Sequence, residues 1–206
     1  MIAGAAALAA SYLLGAIPAS YIAGRMVAGI DLRQHGSGNL GATNLYRTLG
    51  WKVALPVALF DIVKGAVPVL VFAPPVSDSR LFALACGVLA IVGHVFSLFV
   101  KFRGGKGVAT AAGVMLGLTP LAVLVLLAVW GAVVLMTGYV SLGSITAAAL
   151  LPGLVWVLHP ASRSLVPFDA VVAATIIWLH RANIRRLLAG TEHRFGRHRP
   201  VVPPAP

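Results

Sequence analysis

The sequence predicts an all-α integral membrane protein of about seven transmembrane helices, with the N-terminus outside and the C-terminus in the cytoplasm. Three observations carry this reading. The 206 residues are 59% hydrophobic and only 10% charged, which removes the chain from the soluble class. Charge-free runs long enough to cross a bilayer recur along it. Thirteen of the sixteen Lys and Arg residues fall into three short segments that alternate topology places on one side, as the positive-inside rule requires of cytoplasmic loops.

The first run, Ile2 to Gly24, carries no charge over 23 residues, and about 20 apolar residues suffice for a helix to span. It has no basic residue ahead of it and exceeds the usual apolar length of a signal peptide, so a retained first span is expected. Arg25, Arg33, Arg47 and Lys52 follow and mark the cytoplasmic side. Val53 to Ala73 returns outward with Asp61 and Lys64 three apart, on one helical face. Two accounts of that pair stand side by side: mutual neutralisation inside the bundle, or the lining of a hydrated site near the membrane edge.

Pro74 to Arg80 reads as an external turn. Leu81 to Val100 spans inward and carries His94, a lone histidine to which the pattern assigns no role. Lys101-Phe-Arg-Gly-Gly-Lys-Gly107 is a second basic segment. Residues 107 to 158 then hold no Asp, Glu, Lys or Arg, with breaks at Thr119-Pro120 and Thr137-Gly138. Three pieces fit those breaks, the first a short helix from Gly107 to Leu118. If that helix does not cross, five spans remain. Arg163 and Asp169 are expected in an external turn, and Ala170 to Leu179 in the last inward span. The segment after His180 is basic and cytoplasmic. Residues 1–199 are expected to form a single membrane domain, and 200–206, with four prolines, a disordered tail.

The net charge of +11 suits anionic headgroups or anionic substrates and does not choose between them. The single cysteine, Cys86, lies in an apolar run, so no disulfide framework is possible within one chain.

The polar content is concentrated. Gly36-Ser-Gly-Asn-Leu-Gly-Ala-Thr-Asn-Leu-Tyr-Arg47 gathers three glycines and five polar side chains. Glycines accept positive φ and let backbone N–H groups converge on an anion. Ser37, Asn39, Thr43 and Asn44 add neutral hydrogen-bonding groups, and Arg47 a planar fork for two phosphate oxygens. Gly36, Gly38 and Gly41 also fit the dinucleotide fingerprint, but no βαβ unit flanks them. In the second segment Lys106 is followed by Gly107 rather than Ser or Thr, so it is not a Walker A loop. A snorkelling basic cluster is the plainer account there, yet Gly104, Gly105 and Gly107 around Lys106 favour anion binding. His180 and Asn183 share one face at a helix end. Arg181, Arg185 and Arg186 are expected to meet lipid phosphates, and Glu192 to pair with an arginine.

These three segments suggest one cytoplasmic site for phosphorylated substrates. No Ser-His-Asp order, no H-E-x-x-H and no carboxylate cluster for a divalent metal is present, so neither covalent nor metal catalysis is supported. Orientation and electrostatic stabilisation remain, sufficient only for a substrate that arrives already activated.

The loop Gly36–Arg47, the segment Phe102-Arg-Gly-Gly-Lys-Gly-Val-Ala-Thr110 and the segment His180-Arg-Ala-Asn-Ile-Arg-Arg-Leu-Leu-Ala-Gly-Thr-Glu192 resemble, in order, the three motifs of the bacterial PlsY family of acyl-phosphate:glycerol-3-phosphate acyltransferases. The resemblance covers nearly the whole chain. It implies acyl transfer from a fatty acyl phosphate to the 1-hydroxyl of glycerol 3-phosphate in the inner membrane, giving lysophosphatidic acid and inorganic phosphate. By motif position Ser37, Arg47, Lys106, His180 and Asn183 are the expected catalytic residues. Gly36, Gly38, Asn39, Gly41, Thr43, Asn44, Gly104 and Gly105 are the expected substrate-binding ones. Arg47, Lys106 and His180 would hold phosphates, and the Gly36–Asn39 stretch would orient the acyl phosphate. The proton of the attacking hydroxyl goes to His180 or to a substrate phosphate, the resemblance favouring the latter. No cofactor, metal or nucleic acid is expected, and the partners are the two substrates and membrane lipid around a monomer. An acyl-CoA enzyme is disfavoured, since none of the six histidines has Asp five positions on. A transporter of an organic phosphate is the alternative. It would call for internal repeats and access from both faces, and no repeat is evident.

Overall fold

The computed structural model describes residues 1–196, whose regular structure is helical, with no strand among them. The expected tail over 200–206, with Arg197 and Arg199, lies outside the described residues. Six stretches are long and apolar enough to cross a membrane: Ile2–Ala28, Trp51–Phe72, Arg80–Val100, Pro120–Thr137, Val140–Leu158 and Pro160–Leu179. The helix after the second basic segment, Val108–Leu118, has 11 residues. At 1.5 Å per residue it is about 16 Å long, roughly half the hydrocarbon thickness.

The chain divides into two compact units, Met1–Val114 and the part from Met115 onward. In the first, α1 (Ile2–Ala16) and α2 (Ala19–Ala28) replace the continuous helix expected from the apolar run. Pro18 is the physical reason, because it has no N–H to donate and its ring clashes with the preceding turn. The break strips two carbonyls of helical partners inside apolar surroundings. Ser97 Oγ donates to Ala16 O at 2.5 Å, and Lys64 Nζ donates to Ile17 O at 2.9 Å. Backbone polar groups left unpaired at such depth are costly, and here side chains from other helices satisfy them.

α2 ends at Gly29, which takes φ +67°, and the chain continues into the glycine-rich loop and α3 (Ala42–Leu49). Beyond Gly50 lies α4 (Trp51–Val67), extended by a π-helical turn at Pro68–Phe72. α5 (Arg80–Val95) and α6 (Val108–Leu118) follow. Small residues let these helices touch backbone to backbone. A side chain on Gly15 would collide with the Ala90 backbone, one on Gly65 with the Thr110 carbonyl, and one on Gly113 with the Ile62 carbonyl. α1 is thereby seated on α5, and α4 on α6.

The second unit contains α7 (Pro120–Thr137), α8 (Val140–Leu158), α9 (Val166–Leu179) and α10 (Arg181–Leu188). Gly138, at φ +77°, closes α7 and turns the chain into α8. One expectation fails here. Asp169 is not in a turn but in the first turn of α9, fully buried, with neither carboxylate oxygen hydrogen-bonded. Pro160 and Pro167 set helical φ early and start helical structure before Ala170.

Candidate active site

The glycine-rich loop is folded around one side chain. Asn44 is 2% exposed and uses both ends of its amide. Its Nδ2 donates to the carbonyls of Leu32 (3.3 Å), His35 (3.0 Å) and Asn39 (3.1 Å), while its Oδ1 accepts from Ser37 N at 2.8 Å. Gly36 must be glycine for this to happen. It takes φ +58°, and a Cβ there would collide with Asn44 Oδ1. Gly38 is at φ +70°, and its added Cβ would meet Arg33 O at 3.1 Å. Below the loop, Leu32, Leu40 and Leu45 pack with Ala54, Val57 and Val100. Polar atoms thus shape the loop, and apolar ones fasten it to α4. Ser37 is exposed at the loop tip, while Asn39, Gly41, Thr43 and Arg47 are half-buried. Thr43 and Arg47 are four apart on α3 and so share a face.

The loop's entry is clamped by a second polar contact. Arg33 donates from Nε and Nη2 to both oxygens of Asp31, at 2.7 to 3.2 Å. These bonds, against the opposing effect of burial, hold the Asp31 carboxyl down from 3.8 to about 2. A carboxyl whose folded-state pKa is depressed stabilises above its ordinary pKa, and that contribution is lost as pH falls toward the folded value. Asp31→Asn is therefore expected to melt below wild type at neutral pH, with the difference shrinking between about pH 4 and pH 2. Thermal unfolding in detergent across that window checks it, and a constant gap would remove the ion pair as its cause.

The second basic segment leaves α5 through Leu98–Val100 and reverses at Lys101 and Phe102, which take φ +57° and +59°. Two adjacent non-glycine residues in the left-handed region are a strained way to turn. Gly104 N then donates to Val95 O at 3.0 Å and Gly105 N to His94 O at 3.1 Å, pinning the loop to the end of α5. The two loops meet here, since a Cβ on Gly105 would approach Leu40 O to 2.7 Å. Lys106 is half-buried beside them.

A narrow cleft opens at this junction, lined among others by Leu40, Gly104, Gly105, Asp61, Lys64 and His94. Lys64 Nζ is 2.7 Å from Asp61 Oδ1 and His94 Nδ1 3.7 Å from the same oxygen. The second is too long for a hydrogen bond and the first is an ion-pair contact, so Asp61 Oδ1 has ionic neighbours and no hydrogen-bond donor. The two accounts of the Asp61–Lys64 pair thus both describe it in part. It is an internal ion pair, and it lines the cleft beside Leu40, Gly104 and Gly105. His94, left without a role by the sequence pattern, belongs to the same cluster.

In the second unit His180 closes α9 and opens α10. It is buried, and its Nδ1 lies 2.8 Å from Ile176 O, a carbonyl that can only accept, which places a proton on Nδ1. Asn183 is buried one turn further and donates to Glu192 Oε1 at 2.7 Å. Glu192 also accepts from Ser141 Oγ at 2.9 Å and from Arg186 Nε at 2.6 Å. Burial opposes its charge, but these three donors outweigh that and keep its carboxyl below the ordinary range. The expected Glu192–arginine pair is present. Arg186 is consequently committed to protein rather than to lipid, because a buried carboxylate claims it more strongly than a solvated headgroup. Arg181 instead lies over the Trp178 ring at 4.1 Å. Phe195 N donates to Gly138 O at 2.6 Å and Arg194 Nε to Tyr139 Oη at 3.2 Å, so the strand of chain after α10 is tied back onto the α7–α8 turn. Among the described residues, no three His, Cys, Asp or Glu side chains group as a metal site.

The profile of the family described as glycerol-3-phosphate acyltransferase matches residues 5–190. The chain belongs to that family. A curated glycerol-3-phosphate acyltransferase of Chlorobaculum parvum is 43% identical over 93% of this chain and 97% of its own length. Another, from Trichlorobacter lovleyi, is 48% identical over 95% and 99%. Crystal structures of PlsY, an integral membrane glycerol 3-phosphate acyltransferase, match with TM-scores of 0.85 and 0.84 at 37% identity, covering 94% of this chain and 96% and 95% of theirs. One is its glycerol 3-phosphate form and the other its lysophosphatidic acid form. Membership in this acyltransferase family accords with the membrane-type helical fold, since the solved PlsY it resembles is an integral membrane protein.

Proposed function

We propose that this chain transfers a fatty acyl group from an acyl phosphate to the 1-hydroxyl of glycerol 3-phosphate, forming lysophosphatidic acid and inorganic phosphate as the first step of phospholipid synthesis. The observation that carries the proposal is the meeting of the two loops, Gly36–Arg47 and Gly104–Lys106, in one unit. Arg47, Lys106 and the polar side chains of Ser37 and Asn39 suit phosphate oxygens. The glycerol 3-phosphate and lysophosphatidic acid forms of the similar PlsY supply the substrate and product classes.

An acyl phosphate is a mixed anhydride, so the chemistry asks little of the protein beyond placement. The glycerol hydroxyl oxygen attacks the acyl carbon, the bond from that carbon to the phosphate oxygen breaks, and the hydroxyl proton leaves with phosphate or through His180. Gly36, Ser37, Gly38 and Asn39 orient the acyl phosphate. Lys106 takes the phosphate of glycerol 3-phosphate, with Gly104 and Gly105, whose N–H groups are spent on α5, shaping the turn that presents it, and Arg47 stabilises charge that develops on the leaving group. Asn44 acts through the loop it ties together; Gly41 and Thr43 complete the loop, and His180 and Asn183 add phosphate and hydroxyl ligands. The chain acts as one acyltransferase domain, a monomer without cofactor. Seven crossings in the inner membrane, with the N-terminus outside, put the basic segments in the cytoplasm. The buried Thr110 and Thr119 at the ends of α6 are compatible with a short helix that completes its crossing inside protein.

Purified protein in detergent is expected to make lysophosphatidic acid from labelled glycerol 3-phosphate and palmitoyl phosphate, and not from palmitoyl-CoA or palmitoyl carrier protein. Equal use of a thioester donor would sink the donor assignment. No turnover with any donor, in folded protein that binds glycerol 3-phosphate, would favour transport. Ser37→Ala is expected to lower the rate strongly, by loss of an orienting hydroxyl; retention of most of the rate would exclude a nucleophilic Ser37.

A further inference from the structure

Asp61, Lys64 and His94 are 2%, 1% and 8% exposed within apolar helices, an arrangement that needs a compensating reason. Part of it is local. Lys64 satisfies Ile17 O, freed by Pro18, and Asp61 balances Lys64. That pair is balanced in charge without a histidine. Yet His94 also faces Asp61 through Nδ1, and its other nitrogen supports the second loop, because a Cβ on Gly105 would collide with His94 Nε2. Its carbonyl accepts from Gly105 N, and the next carbonyl, of Val95, accepts from Gly104 N. A continuous set of contacts therefore runs from the break in the first span through Lys64, Asp61 and the imidazole to the turn that precedes Lys106.

We propose that Asp61, Lys64 and His94 are positioning residues which together fix the Gly104–Gly105 turn, and through it Lys106, at the phosphate of glycerol 3-phosphate. The inference rests on the assignment of that loop under Proposed function. None of the three touches the reacting atoms. Asp61 and Lys64 orient the imidazole, and the imidazole sets the height of the turn. A ligand group displaced by a fraction of an ångström weakens binding of the substrate it serves and leaves the other substrate alone.

The test separates positioning from simple stabilisation. Asp61→Leu combined with Lys64→Met removes both charges and leaves no unpaired ion, a replacement that buried pairs often tolerate. This double variant and His94→Ala are expected to raise KM for glycerol 3-phosphate by about tenfold, with KM for acyl phosphate and kcat changed less than about threefold. His94→Gln, which returns a polar atom near the Nε2 position, should recover much of the loss. Gly105→Ala and His94→Ala should combine non-multiplicatively, since the second removes the shortest contact of the added methyl, that with the imidazole, although the one with Leu40 O remains. Unchanged KM for glycerol 3-phosphate in folded variants, an equal rise in both KM values, or a multiplicative Gly105–His94 cycle would overturn the proposal. Should His94→Ala not fold, His94→Gln and the double variant decide alone. Calorimetric titration with glycerol 3-phosphate, without donor, should give the same order of Kd. If the wild type binds it but never turns over, the acyltransferase reading fails while the positioning remains measurable.

Discussion

Arg47→Ala and Lys106→Ala are each expected to lower kcat/KM for acyl transfer by about 10²–10³, the range found when one preorganised donor to a developing oxyanion is removed. The side chains stand on different supports. Arg47 projects from α3, whose start is built into the glycine loop, and Lys106 follows the turn pinned to α5 by Gly104 N and Gly105 N. Their losses should differ in kind. Arg47, assigned to the leaving phosphate, should show mainly in kcat. Lys106, assigned to glycerol 3-phosphate, should show in KM as well. Lysine at 47 would keep the charge and lose the bidentate fork, so Arg47→Lys should recover only part of the rate. Steady-state kinetics with each substrate varied checks all three, and near-normal turnover in either alanine variant would take that residue out of the site.

Asn44→Ala should cost both fold and function. The amide is a single buried group serving four backbone partners; its removal strands Ser37 N and Asn39 O, while the carbonyls of Leu32 and His35 keep the backbone donors His35 N and Gly38 N. Each buried polar group left without a partner costs about 1–3 kcal/mol, although water can enter beside the exposed Ser37, so a net loss of about 2–4 kcal/mol is expected. Activity should fall further than stability, because the loop would no longer hold Ser37 and Asn39 in place, and a misplacement of about 1 Å costs about 10²-fold. Asn44→Asp is the sharper test. It keeps the shape and the acceptor for Ser37 N, but turns the donor to three carbonyls into an oxygen that repels them. It should behave like alanine. A fully active Asn44→Asp protein would show that the loop is held by its apolar anchors Leu32, Leu40 and Leu45 alone.

The candidate site was legible in the sequence to the extent that its chemistry is local. Glycines at 36 and 38, with polar residues and Arg47 between apolar runs, mark a tight polar loop because only glycine takes φ of +58° and +70° without penalty. The same run could not show that Asn44 turns inward, since an asparagine that binds substrate and one that staples its own loop have identical spacing. Asp169 is expected in an external turn because alternation of the crossings puts Arg163 and Asp169 outside, whereas the tertiary packing buries it in the first turn of α9.

The sequence by itself determined the membrane class, the helical segments and the two glycine loops, because hydropathy, charge asymmetry and glycine placement act over a few neighbouring residues. Only the tertiary structure decided where the first span breaks its hydrogen bonds and which side chains repair them. It also decided that Asp61, Lys64 and His94 cluster beside Gly105, and that Glu192 gathers Ser141, Asn183 and Arg186. Those contacts join residues far apart in the chain, with no periodicity to announce them. They exist because burial leaves each polar group no partner except another one brought there by helix packing.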